Sequence, residues 1–144
     1  MPTSAGPVRR LSHDGLQPAV RRALGLELRT ALEPGETVGI VVPATTWASP
    51  QTTLAVTDRR VLWLLDDAPV HRVRDLLLTD VVAVRVRPPR PWRGAAQVVC
   101  TDRRGRRTTF GELEPATAEA IARRVTAGRE ARSDGTAARG SAPS

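Results

Sequence analysis

The side chains of this 144-residue sequence show no evident grouping that would perform catalysis or bind a metal. The chain has two histidines and one cysteine, at His13, His71 and Cys100, and their separation does not match the spacing of a metal site. Asp66 and Asp67 are adjacent acids, but Asp-Asp-Ala-Pro is typical of a turn, and no serine or carboxylate has an evident base beside it. The two common phosphate-binding glycine loops are also missing from the sequence. We therefore expect no enzymatic activity, metal or cofactor.

Positive charge is the clearest chemical signal, and it is confined to residues 85–107. All 22 basic residues are arginines, of which this stretch holds eight against one acid, whereas the rest of the chain holds fourteen of each sign. The net charge of +7 therefore falls within this stretch. Such a surface could meet phosphate, an anionic membrane or an acidic protein. The alternative is a solvated pair of arginine-rich hairpins that reflects codon bias. The eight are Arg85, Arg87, Arg90, Arg93, Arg103, Arg104, Arg106 and Arg107.

Trp92 lies within this stretch, between Arg90 and Arg93 in a loop that also contains prolines. A tryptophan between arginines suits a membrane interface or stacking on a nucleic-acid base. The same sequence also suits a local pair in which an arginine lies over the indole ring. Trp47, in the uncharged segment PATTWASPQ, has the same two interpretations.

Composition also indicates a source and a compartment. The chain has no lysine, asparagine or tyrosine, the residues with AT-rich codons, which favours a GC-rich and hence bacterial genome. One cysteine cannot form an internal disulfide, and this fits a reducing cytoplasm. The N-terminus lacks the apolar region of a secretory signal, and the uncharged segment 37–57 is too polar for a membrane helix. We expect a cytoplasmic protein, either free or peripheral to the membrane.

Both ends of the chain predict helices flanked by tails. Residues 1–15 contain few apolar residues and predict disorder. A helix is predicted over residues 16–33, because an apolar residue recurs at every fourth position. Pro34-Gly35 is expected to stop this helix. These residues are Leu16, Val20, Leu24, Leu28 and Leu32. A second amphipathic helix begins at Pro115 and is predicted to end at Gly128, which leaves residues 129–144 as a disordered tail.

Seven short strands are predicted between the two helices, at residues 37–42, 52–57, 60–66, 70–74, 81–87, 95–101 and 106–111. Short turns between them imply antiparallel pairing. In the fifth strand, alternation places Val82, Val84 and Val86 on one face. The sequence therefore predicts a mainly β domain over residues 34–128, a bent sheet or open barrel that the second helix caps.

Three segments resemble the bacterial pleckstrin-homology-like (PH-like) domains over about residues 28–127. They read LEPGETV, TTLAVTDRRVLWLL and VRDLLLTDVVAVRVRP, and the positions that match the family pattern are Gly35, Glu36, Thr57, Arg60, Asp80 and Val84. The resemblance implies a seven-stranded barrel with a C-terminal capping helix. Eukaryotic members of the superfamily often hold phosphoinositides with basic residues in the first strand-to-strand loop. That loop is PATTWASPQ here and has no basic residue.

The hairpin at Thr57-Asp58-Arg59-Arg60 is expected to be structural. Arg59 can stay in solvent, whereas Arg60 can lay its aliphatic part on the sheet and bind a carboxylate, with Asp75 and Asp80 as candidates. Both faces of the following strand VLWLL are apolar, so both need covering. We expect the core to cover one face and the N-terminal helix the other, with a homodimer as the alternative cover.

The function that these features predict is a binding or scaffolding module whose arginine-rich surface recognises an anionic partner, with Trp92 adding apolar contact. Peripheral binding to anionic membrane lipid is one alternative, and binding of nucleic acid is another.

Overall fold

A computed structural model describes residues 18–66, 68, 72–92 and 94–140 of the chain. In these residues, two α-helices flank seven strands. The helices are α1 (Pro18–Ala31) and α2 (Pro115–Gly140), and the strands are β1 (Val38–Ala44), β2 (Thr52–Thr57), β3 (Arg60–Leu65), β4 (Val73–Leu77), β5 (Val81–Arg87), β6 (Ala96–Asp102) and β7 (Arg107–Leu113). A short 3₁₀ helix (Leu78–Asp80) joins β4 to β5. None of the described helices combines the length and the apolar character needed to cross a bilayer.

The strands form two antiparallel sheets, with the orders β1-β2-β3-β4 and β5-β6-β7. At one corner, β1 runs on into a bridge between Thr45 and Gly111, where each backbone N–H donates to the other carbonyl at 3.1 and 2.8 Å. At the other corner the 3₁₀ helix turns the chain from one sheet to the next, and α2 packs on β5, β6 and this turn. The fold is therefore the predicted bent sheet or open barrel with a capping helix.

Alternating strand residues and one face of α2 build the main core. Leu54, Val56 and Val61 from the first sheet meet Val98 and Phe110 from the second. Ala118, Ile121 and Val125 of α2 complete the core, as the predicted amphipathic face requires.

The outer face of the first sheet is covered by α1, as the two apolar faces of β3 predict. Leu24 and Leu28 are buried against Leu62 and Leu64, while Val61 and Trp63 face the main core. The helix ends at Ala31, before the predicted residue 33, and Gly25 interrupts it with a φ of 73°. Residues 1–17 lie outside the described part, so the prediction of a disordered N-terminal segment is not tested.

The second helix continues past its predicted end. Gly128 was expected to terminate it, but α2 runs on to Gly140, so the prediction of a tail from residue 129 is wrong up to that residue. The glycine inside the helix fits a close approach to the 3₁₀ helix: a Cβ on Gly128 would lie 2.5 Å from Cδ1 of Leu78, which is fully buried. Gly128 therefore lets α2 approach the 3₁₀ helix closely. Residues 141–144 lie outside the described part.

Two strand predictions need correction. A β-bulge at residues 81–83 shifts the alternation of β5, so that Val81 is buried and Val82 is 51% exposed instead of sharing a face with Val84 and Val86. The fourth strand lies at Val73–Leu77, later than the predicted 70–74, and His71 lies outside the described residues.

Candidate functional site

The register of the second sheet decides where the predicted arginines lie. Val84, Val86 and Val98 pack in the core, so Arg85 and Arg87 point to the outer face of β5. Arg107 is paired with Thr101, which lies on the outer face of β6, so it shares that face. All three arginines are exposed.

We call this surface the outer face of the second sheet. The register assigns to it eight positions: Ala83, Arg85, Arg87, Gln97, Val99, Thr101, Arg107 and Thr109. Three are arginine and none is acidic; Glu112 is exposed at the end of β7, where the strand has a bulge. Val99 belongs to this face but is only 4% exposed, so the side chains around it must cover it. The face is therefore positively charged and has a small apolar centre.

The β5–β6 loop extends this surface at one end. Arg87, Arg90, Trp92 and Gln97 contribute to the wall of an open cavity of about 570 Å³. The guanidinium carbon of Arg90 lies 5.7 Å from the centre of the Trp92 ring, so the predicted local cation–π pair is formed. Trp92 is nevertheless 76% exposed, and the pair leaves most of the indole available for contact. Arg93 lies outside the described residues.

The remaining predicted arginines lie at the other end of the sheet, in the turn between β6 and β7. Val81 pairs with Asp102, whereas Arg87 pairs with Gln97, so the turn and the loop are separated by the length of β5, about 20 Å. Arg103 donates from Nε and Nη2 to the carbonyl of Thr79 at 3.1 and 2.8 Å, and this contact attaches the turn to the 3₁₀ helix. Arg104 and Arg106 are exposed there. The arginines of residues 85–107 therefore do not converge on one point.

Both exposed tryptophans lie at the loop end of the barrel. Trp47 is fully exposed and follows Thr45, whose backbone is bonded to Gly111. A Cβ placed on Gly111 would lie 3.7 Å from the side chain of Gln97, and Gln97 contributes to the cavity beside Trp92. The loop that follows β1 and the β5–β6 loop therefore border the same end.

The hairpin residues form a buried polar cluster. Glu36 is fully buried, and it accepts from Arg60 at both oxygens: Nη2 to Oε1 at 2.9 Å and Nε to Oε2 at 3.0 Å. The hydroxyl of Thr57 donates to Glu36 at 2.6 Å and accepts from the backbone N–H of Arg60 at 3.0 Å. Arg60 also donates to Asp75 at 3.1 Å and to the carbonyl of Ala31 at 2.5 Å. This cluster joins the end of α1 to β2, β3 and β4.

The electrostatics of the cluster favour its charged form. Burial acts to raise the pKa of Glu36, but hydrogen bonds from Arg60, Thr57 and the backbone of Glu33 lower it below its ordinary value. The hydrogen bond to Glu36 likewise raises the pKa of Arg60, against the opposing effect of burial. Glu36 and Arg60 are thus both ionised and paired at neutral pH. Because each satisfies the charge of the other inside the fold, we interpret the pair as structural.

Sequence reasoning found part of this cluster. The expected partnership of Arg60 with Asp75 is confirmed, but Asp80 is not a partner and instead lies 3.9 Å from Arg103. Arg59 is not simply solvated at the tip, because it donates to Glu33 at 2.8 Å. Asp58 caps the start of the sheet by accepting from the N–H of Thr37 at 2.9 Å.

Glu36 is the residue that sequence reasoning did not assign as a partner. A signal for it existed, since Glu36 belongs to one matching segment of the chain and Thr57 and Arg60 to the next. An acid and an arginine in two motifs of one small domain are natural candidates for a pair.

The candidates for catalysis add nothing to this site. Cys100 faces the core with Val98, as predicted, and burial raises the pKa of its thiol to about 11. Among the described residues no three histidine, cysteine or acidic side chains are grouped as metal ligands would be. His13 and Asp67 lie outside these residues.

Comparison with known proteins agrees with the fold. No family model and no curated protein matches this chain. Among solved structures, the chain is similar to the Vps36 N-terminal PH domain, with a TM-score of 0.51 and 12% sequence identity, over 66% of this chain and 83% of that one. The likeness shows that this chain has a PH-like fold.

Proposed function

We propose that this protein is a non-enzymatic binding module that recognises an anionic partner with the outer face of its second sheet and the adjoining β5–β6 loop. One observation carries the proposal: three exposed arginines and no acid occupy the eight positions of that face. Arg90 and the exposed ring of Trp92 continue it at one end. A surface of one charge sign attracts ligands of the opposite sign and speeds their encounter.

The test compares two pairs of arginines. At about 0.15 M salt, the full chain would be titrated with vesicles of phosphatidylglycerol and phosphatidylcholine in equal parts, with oligothymidylate and with polyglutamate. We expect at least one ligand to bind, and Arg85→Ser with Arg87→Ser to weaken it at least fivefold.

The matched control is Arg104→Ser with Arg106→Ser, which removes the same charge at the far end of the sheet. Its effect should be less than half as large in free energy, because along β5 the turn lies about 13 Å from Arg85 and about 20 Å from Arg87, beyond the Debye length of about 8 Å at this salt concentration. Equal weakening by both pairs, or no binding of any of the three ligands, would overturn the proposal.

Anionic membrane lipid is a second candidate because of where the two exposed tryptophans lie. Trp47 and Trp92 border the same end of the barrel, and Arg87 and Arg90 lie beside Trp92. Indole rings next to cations are favourable at the boundary between headgroups and acyl chains. If lipid is the partner, Trp47→Ser with Trp92→Ser should weaken vesicle binding and leave polyglutamate binding unchanged. An unchanged vesicle affinity would remove lipid as the candidate.

Single-stranded nucleic acid is a third candidate, and the oligothymidylate titration tests it. The logarithm of its affinity should fall linearly with the logarithm of salt concentration, with a slope set by the number of phosphates contacted. Absence of oligothymidylate binding in low salt would exclude single-stranded DNA.

A further inference from the structure

The free edge of β5 lies beside a groove that the proposed function does not use. On one side β5 pairs with β6, and in the described part of the chain no strand pairs with its other side. No backbone hydrogen bond joins Ala83–Arg87 to any described residue outside β6. Since alternate backbone groups of an edge strand point away from its partner, this edge offers a row of donors and acceptors.

The groove next to this edge is formed by β5 and α2 and has a volume of about 470 Å³. Its floor contains the half-buried Val84 and Val86 of β5 with Ala122 and Thr126 of α2. Exposed charged residues of α2, Glu119, Arg123 and Glu130, form the rim. From residue 119 to residue 130 the helix extends about 16 Å, which equals the length of about five residues of a strand.

From this geometry we infer that β5 binds an extended peptide segment as an additional strand, and that the segment alternates acidic and apolar residues. Added to the free edge, a strand would form backbone hydrogen bonds with β5. Its side chains would point alternately to the two faces of the enlarged sheet. On the inner face they would enter the groove over Val84 and Val86, and on the outer face they would lie beside Arg85 and Arg87.

The positive charges of Arg85 and Arg87 favour an acidic strand over two other possible occupants of this edge. Arg85 and Arg87 occupy alternate positions of β5, so acidic residues two apart on an added strand would each lie opposite or diagonal to an arginine. A second copy of β5 would instead bring arginines near arginines, and such like-charge pairs are unfavourable. The chain's own residues 1–17 contain two arginines and a single acid, so their charge does not complement this edge either. The inference rests on the proposed function only for the sign of the partner's charge.

The probe is a fluorescein-labelled peptide of alternating glutamate and valine, followed by anisotropy with the full chain. We expect saturable binding, and at least tenfold weaker binding when glutamine replaces glutamate. Arg85→Glu with Arg87→Glu should weaken binding at least tenfold, while Arg104→Glu with Arg106→Glu should change it less than threefold. Thr126→Arg leaves the outer face intact and fills the groove, so it should also weaken binding at least tenfold.

Backbone pairing is tested with two further peptides, one N-methylated at the valines and one at the glutamates. In a bound strand only one of these sets of N–H groups faces β5, so one peptide should lose binding and the other should retain it. Equal binding of the two would overturn the inference, because charge attraction alone does not distinguish them. Circular dichroism and thermal unfolding would confirm that each variant is folded.

Two other results would also contradict the inference. Arg85 and Arg87 could serve only to keep other strands away from the edge, and in that case no peptide would bind. Concentration-dependent dimerisation in sedimentation velocity, abolished by Thr126→Arg, would show that a second copy covers the groove. Binding of vesicles or oligothymidylate without binding of the peptide would overturn this inference and leave the proposed function standing. Failure of every anionic ligand would overturn both.

Discussion

Arg60 holds Glu36 with two parallel hydrogen bonds, at 2.9 and 3.0 Å, inside a protein whose other charges lie mostly on its surface. The two residues are 24 positions apart in sequence. Through them the turn after α1 is fixed to the β2–β3 hairpin, and the same guanidinium reaches Asp75 of β4. A bidentate pair of this kind specifies both distance and orientation, which a lysine could not do.

Breaking the pair from one side should be costly. In Arg60→Ala the carboxylate of Glu36 would remain buried without its main partner, so we expect the free energy of unfolding to fall by about 3 to 5 kcal/mol. Arg59→Ala is the matched control, because Arg59 forms an exposed ion pair with Glu33 and should contribute less than about 1 kcal/mol. Urea unfolding of the variants measures both values. A loss for Arg60→Ala no larger than that for Arg59→Ala would contradict a structural role.

The same pair predicts a dependence of stability on pH. The folded-state pKa of Glu36 is lowered from the ordinary value of 4.5 that the unfolded chain keeps. Its contribution to stability is therefore fully present above pH 4.5 and is lost as the pH falls through the lower, folded-state pKa.

Glu36→Gln removes this titration while keeping the shape of the side chain. The difference in stability between the natural chain and this variant should be greatest near neutral pH and should shrink towards about pH 3. Thermal unfolding of both proteins at a series of pH values measures the difference. A difference that stays constant or grows on acidification would show that the pair does not act in this way.

The prediction of the fold succeeded where local patterns were sufficient. The hairpin at Asp58 and the two apolar faces of β3 depend on residue types along a few positions, and a strand with two apolar faces must be covered twice. The cover by α1 follows from the same argument, since Leu24 and Leu28 recur at helical spacing.

The errors arose where distant residues decide the structure. Gly128 is a common helix-ending residue, and only its contact with Leu78 explains a glycine inside α2. Similarly, the bulge that exposes Val82 depends on the register with β6. The candidate site shows the same limit, because the arginines of the single stretch 85–107 divide between the two ends of β5, and the charge pattern alone does not reveal this separation.

The contact between Gly128 and Leu78 gives a prediction in which two effects compete. Gly128→Ala should gain about 1 kcal/mol from helix propensity, but the new methyl group would press on a fully buried leucine. Overpacking costs about 1 to 3 kcal/mol, so we expect a net loss of about 1 kcal/mol. In a Leu78→Val background, which removes Cδ1, the same change should become neutral or stabilising. Urea unfolding of the four proteins gives the coupling, and additive effects would contradict a direct contact.

The attachment of α1 can be tested with two leucines on the same helix. Leu28 is fully buried against the outer face of the first sheet, whereas Leu26 is 70% exposed. Leu28→Ala should lower the free energy of unfolding by about 2 to 5 kcal/mol, and Leu26→Ala should change it by about 0.5 kcal/mol or less. Both substitutions replace leucine by alanine in the part of α1 that follows Gly25, so the difference reports mainly the packing of Leu28. If the two variants unfolded at the same urea concentration, α1 would not cover the outer face of the first sheet in solution. The apolar side chains of Leu62 and Leu64 would then need another cover, such as a second copy of the chain.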